Sequence, residues 1–134
     1  MSLTSRPLVL IVEDDLAVRT PLEKFLHLQG FDVVSAETAD GALAELARHT
    51  PDAAVIDLRL PQGSGRDVII SLPPPTPIVI FSAVPDESMR LEQMRPNTRL
   101  ILKPFSLVML AETLRRMIDS VQQRREQAAR TGTN

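Results

Sequence analysis

The chain has 134 residues, a formal net charge of −2 and no cysteine, a length that carries one domain with a sizeable core and no need of disulfides or a structural metal. The near-balanced charge gives no electrostatic case for direct nucleic-acid or anionic-membrane binding, and no apolar stretch approaches the roughly 20 residues that span a bilayer. A cytoplasmic protein is therefore expected, and the absence of cysteine is compatible with a reducing compartment.

Short apolar runs alternate with helical patterns along the whole chain, which predicts an α/β fold with a parallel sheet and helices on both faces. Leu8 to Val12 is the first strand, and it runs into Glu13-Asp14-Asp15. Val18, Leu22, Phe25 and Leu26 follow at helical spacing up to Gly30, a glycine placed as a C-cap. Pro21 lies inside that pattern without an amide to donate, so a kink or a distorted first half is expected. Phe31 to Ser35 is the second strand. Thr38 or Asp40 caps a second helix striped by Ala39, Ala42, Leu43, Leu46 and Ala47. Asp52 to Asp57 is the third strand. A loop with Pro61, Gly63 and Gly65 precedes a short helix that must stop before Pro73. Ile78 to Phe81 is the fourth strand, Asp86 to Arg95 has room for two or three helical turns, and Leu100 to Leu102 is the fifth strand. Leu107, Leu110, Leu114, Met117, Ile118 and Val121 mark a long amphipathic final helix. Residues 1–6 are expected to be an extension or expression-vector scar, 7–121 the domain, and 122–134 a polar C-terminal tail that frays.

Four of these strands end in groups that can build one site. The first delivers Glu13 and Asp14, the third Asp57, the fourth Ser82 and the fifth Lys103 followed by Pro104. In an open parallel sheet, ligands bind outside the carboxyl ends of the strands. Converging carboxylates repel one another unless a cation sits among them. Oxygen ligands without His or Cys select a hard divalent ion, and Mg²⁺ takes one or two carboxylates while keeping several waters. Together with the Lys103 ammonium, such an ion neutralises charge developing on a transferring phosphoryl group. Ser82 offers a hydroxyl to a phosphoryl oxygen, and Asp57 is the carboxylate free to attack phosphorus. Each of these residues also has an ordinary use: Asp14 or Asp15 as a helix N-cap, Lys103 as a solvated strand end, Ser82 in a turn. All of them fall at carboxyl ends and none at amino ends, which favours a shared site. His27 and His49 have no neighbouring ligands in sequence and read as surface or helix-end residues.

On these motifs the chain resembles the receiver domain of bacterial two-component response regulators. Val9-Leu10-Ile11-Val12-Glu13-Asp14, Asp57-Leu58-Arg59-Leu60-Pro61 with Gly65, Ser82-Ala83 and Lys103-Pro104-Phe105 stand in family order, over residues 7 to 121. The resemblance implies a flavodoxin-like sheet of order 2-1-3-4-5 and a signalling domain that catalyses only its own phosphotransfer and dephosphorylation. It implies that Asp57 accepts a phosphoryl group from a sensor histidine kinase or phosphotransfer protein. The same resemblance makes Asp14 a direct Mg²⁺ ligand, Glu13 a ligand through water, and the backbone carbonyl of Arg59 a further ligand. Arg19 falls where the family often has arginine and is given only a surface role. The family's switch aromatic is replaced by Leu100, and its Gly-Ala pair by Pro96-Asn97-Thr98. A phosphate-independent interaction module on the same fold is the alternative reading. Arg59 and Val84, two positions after the acceptor and the hydroxyl residue, imply slow dephosphorylation. Partners are thus the kinase, an unidentified downstream protein or output domain, and a second copy if the last helix's apolar face is more than core. A dehalogenase-like phosphatase would carry an acid where Arg59 stands, and a flavodoxin would need stacking aromatics and an uncharged phosphate loop.

Overall fold

A computed structural model of the chain describes residues 6–60, 63–82, 90 and 95–130. In chain order these form β1 (Leu8–Val12), α1 (Leu16–Leu28), β2 (Asp32–Ala36), α2 (Ala39–Leu46), β3 (Ala53–Asp57), α3 (Gly65–Ser71), β4 (Ile78–Ser82), β5 (Thr98–Leu102) and α4 (Leu107–Arg130). The strands lie in the order β2-β1-β3-β4-β5, and every pairing is parallel. The expected doubly wound sheet is therefore present.

Period-two alternation explains both layers. Leu10, Val12, Ala54, Ile56, Ile78 and Ile80 face one side, where they meet Ala42 of α2 and Val68 and Ile69 of α3. Val9, Ile11, Val55, Val79 and Phe81 face the other, against Leu22 and Leu26 of α1 and Leu110, Leu114 and Ile118 of α4. Because helices cover both faces, β3 and β4 are buried at every residue, which is why they read as unbroken apolar runs. Each large aliphatic side chain buried here contributes about 1.5–3 kcal/mol. β2 and β5, at the sheet edges, are only partly buried.

Several boundaries differ from expectation. β2 starts and ends one residue later. β5 begins at Thr98, because Thr98 is buried and pairs in register with Ile78. Thr38 rather than Asp40 caps α2, its Oγ1 accepting from the Gly41 amide at 3.0 Å. Helix α1 continues through Pro21; the proline is exposed, and the bond withheld from the Ala17 carbonyl does not end the helix. The polar segment expected to fray from Gln122 stays helical to Arg130, with its side chains exposed. Gln, Arg, Glu and Ala are strong helix formers, so the helix outlasts its apolar stripe. The helix expected over Asp86 to Arg95 falls almost wholly outside the described residues. Among the described residues, no helix is long and apolar enough to cross a membrane.

Candidate functional site

The parallel register carries the expected residues to one end of the sheet. Past β1, the Glu13 amide still bonds the Ala36 carbonyl at 3.1 Å, extending the ladder by one residue. This holds the Glu13 side chain inside, with 0% exposure. The three acids in sequence have separate tasks. Glu13 is buried. Asp14 is exposed. Asp15 caps α1, its Oδ1 accepting from the Ala17 amide at 2.9 Å, and its own amide donates to Glu13 Oε2 at 3.0 Å.

Asp57 closes β3 and is 5% exposed. Its Oδ1 accepts from the Arg59 amide at 2.9 Å, which fixes the carboxylate plane. The start of α3 approaches closely: a Cβ at Gly65 would lie 2.3 Å from the Asp57 carbonyl oxygen, so only glycine fits. Lys103 leaves β5 with its amide bonded to the Ser82 carbonyl at 3.1 Å. Its Nζ lies 3.0 Å from both Glu13 Oε1 and Asp57 Oδ2. The ammonium also stands 4.9 Å from the centroid of the Phe81 ring, and Phe81 packs against Phe105 at a tilt of 60°, with 5.3 Å between ring centroids. The Phe81 ring gives the ammonium an aromatic wall.

The electrostatics follow from that packing. Burial pushes the Glu13 carboxyl above its ordinary value, and the nearby Asp57 charge adds to this. The Asp15 amide and the Lys103 ammonium oppose the shift without cancelling it. Burial works to lower the Lys103 ammonium, but its hydrogen bonds to Asp57 and Glu13, and their charges, outweigh it and raise the group overall. Lys103 is thus the cation among the carboxylates. Glu13, Asp14 and Asp57 each present a carboxylate oxygen within 4.8 Å of the others. This all-oxygen donor set suits a hard divalent cation, whose charge would remove the penalty on ionised Glu13.

Of the remaining residues, Ser82 is buried at the end of β4, one step past Phe81, which pairs with Asp57. Arg59 meets Asp57 through its backbone amide, and its side chain is exposed. Arg19 requires a correction. It does not sit on the surface: its side chain is 12% exposed, and Nη1 donates to the Glu13 carbonyl at 2.8 Å while lying 3.7 Å from Glu37 Oε1. The guanidinium ties the acidic turn to α1 and to the segment after β2. An arginine one turn into the helix after an acid pair was the available signal. His27 and His49 are exposed, as expected, and His49 Nε2 lies 3.6 Å from Glu45. Pro61 and Val84 lie outside the described residues.

The model of the family described as "Response regulator receiver domain" matches residues 9–115. The chain belongs to that family. It is similar to the KDP operon transcriptional regulatory protein KdpE of Escherichia coli, with 36% identity over 110 residues, covering 80% of this chain and 49% of the relative. It is likewise similar to the transcriptional regulatory protein KdpE of Mycobacterium tuberculosis, with 33% identity over 103 residues, 75% of this chain and 46% of the relative. The chain thus spans about half the length of the curated relatives it matches. A solved CheY-like response regulator receiver domain protein from Methanospirillum hungatei superposes with a TM-score of 0.81 at 23% identity, covering 90% of this chain and 99% of that one. At that identity the likeness speaks for the fold. This is a receiver domain of two-component response regulators, with the sheet order the sequence implied and an acidic cluster at the carboxyl ends of its strands.

Proposed function

We propose that this receiver is a phosphoryl-accepting switch in which Asp57 takes the group from a sensor histidine kinase or phosphotransfer protein in the cytoplasm. The observation that carries this reading is the pair of 3.0 Å contacts from Lys103 Nζ to Asp57 Oδ2 and Glu13 Oε1. A nucleophile, a counter-charge and a second acid meet at strand ends there. A carboxylate oxygen of Asp57 attacks phosphorus of a phosphohistidine. The new O–P bond forms as the P–N bond breaks, and the electron pair leaves with the imidazole nitrogen, which takes up a proton. Arg59's amide holds one carboxylate oxygen in place during the attack. Lys103 follows the charge onto the phosphoryl oxygens, and the Ser82 hydroxyl offers them a hydrogen bond. Glu13, Asp14, Asp57 and the Arg59 carbonyl would hold Mg²⁺, which when bound supplies further positive charge against those oxygens. The signal then passes to a downstream protein or output domain through residues whose packing responds to the new charge.

Intact-mass spectrometry after incubation with acetyl phosphate tests this. One phosphoryl adduct is expected, lost completely in Asp57→Asn and in the absence of Mg²⁺. An adduct that survives Asp57→Asn places the acceptor elsewhere. A folded chain that takes no phosphoryl group from acetyl phosphate or phosphoramidate supports the phosphate-independent reading instead.

A further inference from the structure

One largely buried cation takes no part in the phosphoryl chemistry. Arg19 stands at the end of the first turn of α1, where the helix dipole disfavours positive charge. Its side chain is nonetheless the least exposed cation among the described ion pairs. Nε lies 3.7 Å from Glu23 Oε2 on the same helix, and Nη1 lies 3.7 Å from Glu37 Oε1, just past β2. Ser35 of β2 in turn donates its hydroxyl to the Glu23 carboxylate. The two glutamates offset the guanidinium charge and restrict where it points, and Nη1 donates to the Glu13 carbonyl at 2.8 Å.

The group that Arg19 grips belongs to the acid site. The Glu13 carbonyl is part of the planar peptide that leads into Asp14, so holding it fixes the backbone from which the Asp14 side chain projects. On the other side of Glu13 the strand ladder does the same work, through the amide bonded to the Ala36 carbonyl at 3.1 Å. The three acids are held differently. The Glu13 carboxylate accepts from Lys103 and the Asp15 amide, and that of Asp57 from Lys103 and the Arg59 amide. Asp14 is exposed, and among the described residues no donor reaches its carboxylate. Its oxygen still lies within 4.8 Å of the other two, a place set through its backbone. We infer that Arg19 is a positioning residue of the cation site: its grip on the Glu13 carbonyl holds Asp14 where the three carboxylates take a divalent ion together. The inference rests on the cation reading of the acid cluster and deepens it. Removing the groups that hold metal ligands in place commonly costs about 10–100-fold in metal affinity. Charge and position act in opposite directions here, which makes the sign of the effect decisive. A guanidinium near a cation site repels the ion, so loss of the charge alone would tighten binding. Loss of the grip frees Asp14 and weakens it.

Isothermal titration calorimetry of the chain with Mg²⁺ tests this, with amide NMR spectra to show that each variant is folded. Arg19→Met removes charge and donors together, and its Mg²⁺ dissociation constant should rise at least about tenfold. Arg19→Gln is polar and helix-forming but too short to reach the carbonyl. It guards against a methionine variant that does not fold, and it should weaken binding in the same direction. Arg48→Met, which loses an exposed ion pair to Glu45, should bind Mg²⁺ like the parent. With acetyl phosphate, the Mg²⁺ concentration that gives half the maximal rate of phosphorylation should rise with the dissociation constant. The rate at saturating Mg²⁺ should stay within about twofold of the parent, since the attacking carboxylate is untouched. A folded Arg19 variant with tighter or unchanged Mg²⁺ binding overturns the inference, whatever its stability: the arginine then acts by charge or by packing alone. A parent chain that binds no Mg²⁺ overturns the cation reading itself, and the inference with it.

Discussion

Two charged regions of this receiver share one strand and solve opposite problems. Lys103 follows β5 at its carboxyl end and turns inward, where two buried carboxylates hold its ammonium at 3.0 Å. Arg99 lies within β5, is exposed and meets no carboxylate among the described residues. Burial decides the difference. A charge among desolvated groups must be compensated by its own chain, since an uncompensated one costs several kcal/mol. An exposed charge is compensated by water and can be left for a partner. The acid site therefore carries a counter-charge of its own, whereas the exposed Arg99 is left to water.

Lys103→Met should give the largest loss. It leaves Glu13 and Asp57 facing each other without a cation, and urea denaturation in metal-free buffer should show about 3 kcal/mol of destabilisation, the lower end for breaking a buried pair because Lys103 is partly exposed. Added Mg²⁺ should then stabilise the variant more than the parent, since it binds only the folded site. Equal stabilisation of the two would separate the lysine from the cluster. Gly65→Ala strikes the same region through packing. Its Cβ would collide with the Asp57 carbonyl at 2.3 Å, a backbone contact that cannot rotate away, and a loss of about 2–3 kcal/mol with slowed phosphoryl transfer is expected. Parent-like melting and transfer would show that α3 shifts freely.

A pH series divides the acid site further. Glu13 is raised by burial, so the stability of its protonated form is fully present below its ordinary value of 4.5 and is lost as pH rises through the folded value. Glu13→Gln cannot lose it, so the variant should gain on the parent in urea midpoints as pH rises above 4.5. Lys103 is raised too: its contribution is present below 10.5 and lost as pH climbs through the folded value. The parent and Lys103→Met should converge only in that alkaline range. Parallel curves throughout would mean that neither group is coupled to folding.

The residue types explain why some of this was legible beforehand. β1, β3 and β4 are continuous apolar runs because both sheet faces are covered, and their ends deliver acids and a hydroxyl, so the sheet and these candidate site residues could be read together. β5 was placed two residues short because Thr98 and Arg99 are polar, although Thr98 is buried by its register with Ile78. The buried role of Arg19 was missed because a charged residue on a helix reads as solvated, and only the folded turn carries the Glu13 carbonyl to it. The sharing of Lys103 between two acids was not legible either. Glu13 and Lys103 are 90 positions apart, and only the strand register brings them together.

The smallest expected effect falls on the exposed cation of β5. Arg99→Met removes an exposed charge that meets no carboxylate among the described residues, so urea denaturation should place it within about 0.5 kcal/mol of the parent. Phosphoryl acceptance from acetyl phosphate should also be unchanged, because Arg99 makes no contact with the acid site. The same substitution type at Lys103, four positions along the chain, is expected to cost several times more. A loss at Arg99 comparable to that at Lys103 would mean that the arginine is held by intramolecular charge after all, and the contrast between a charge compensated by its own chain and one compensated by water would fail. Near-neutral stability at Arg99 beside a large loss at Lys103 would show that burial, not charge alone, decides what each cation contributes to the fold.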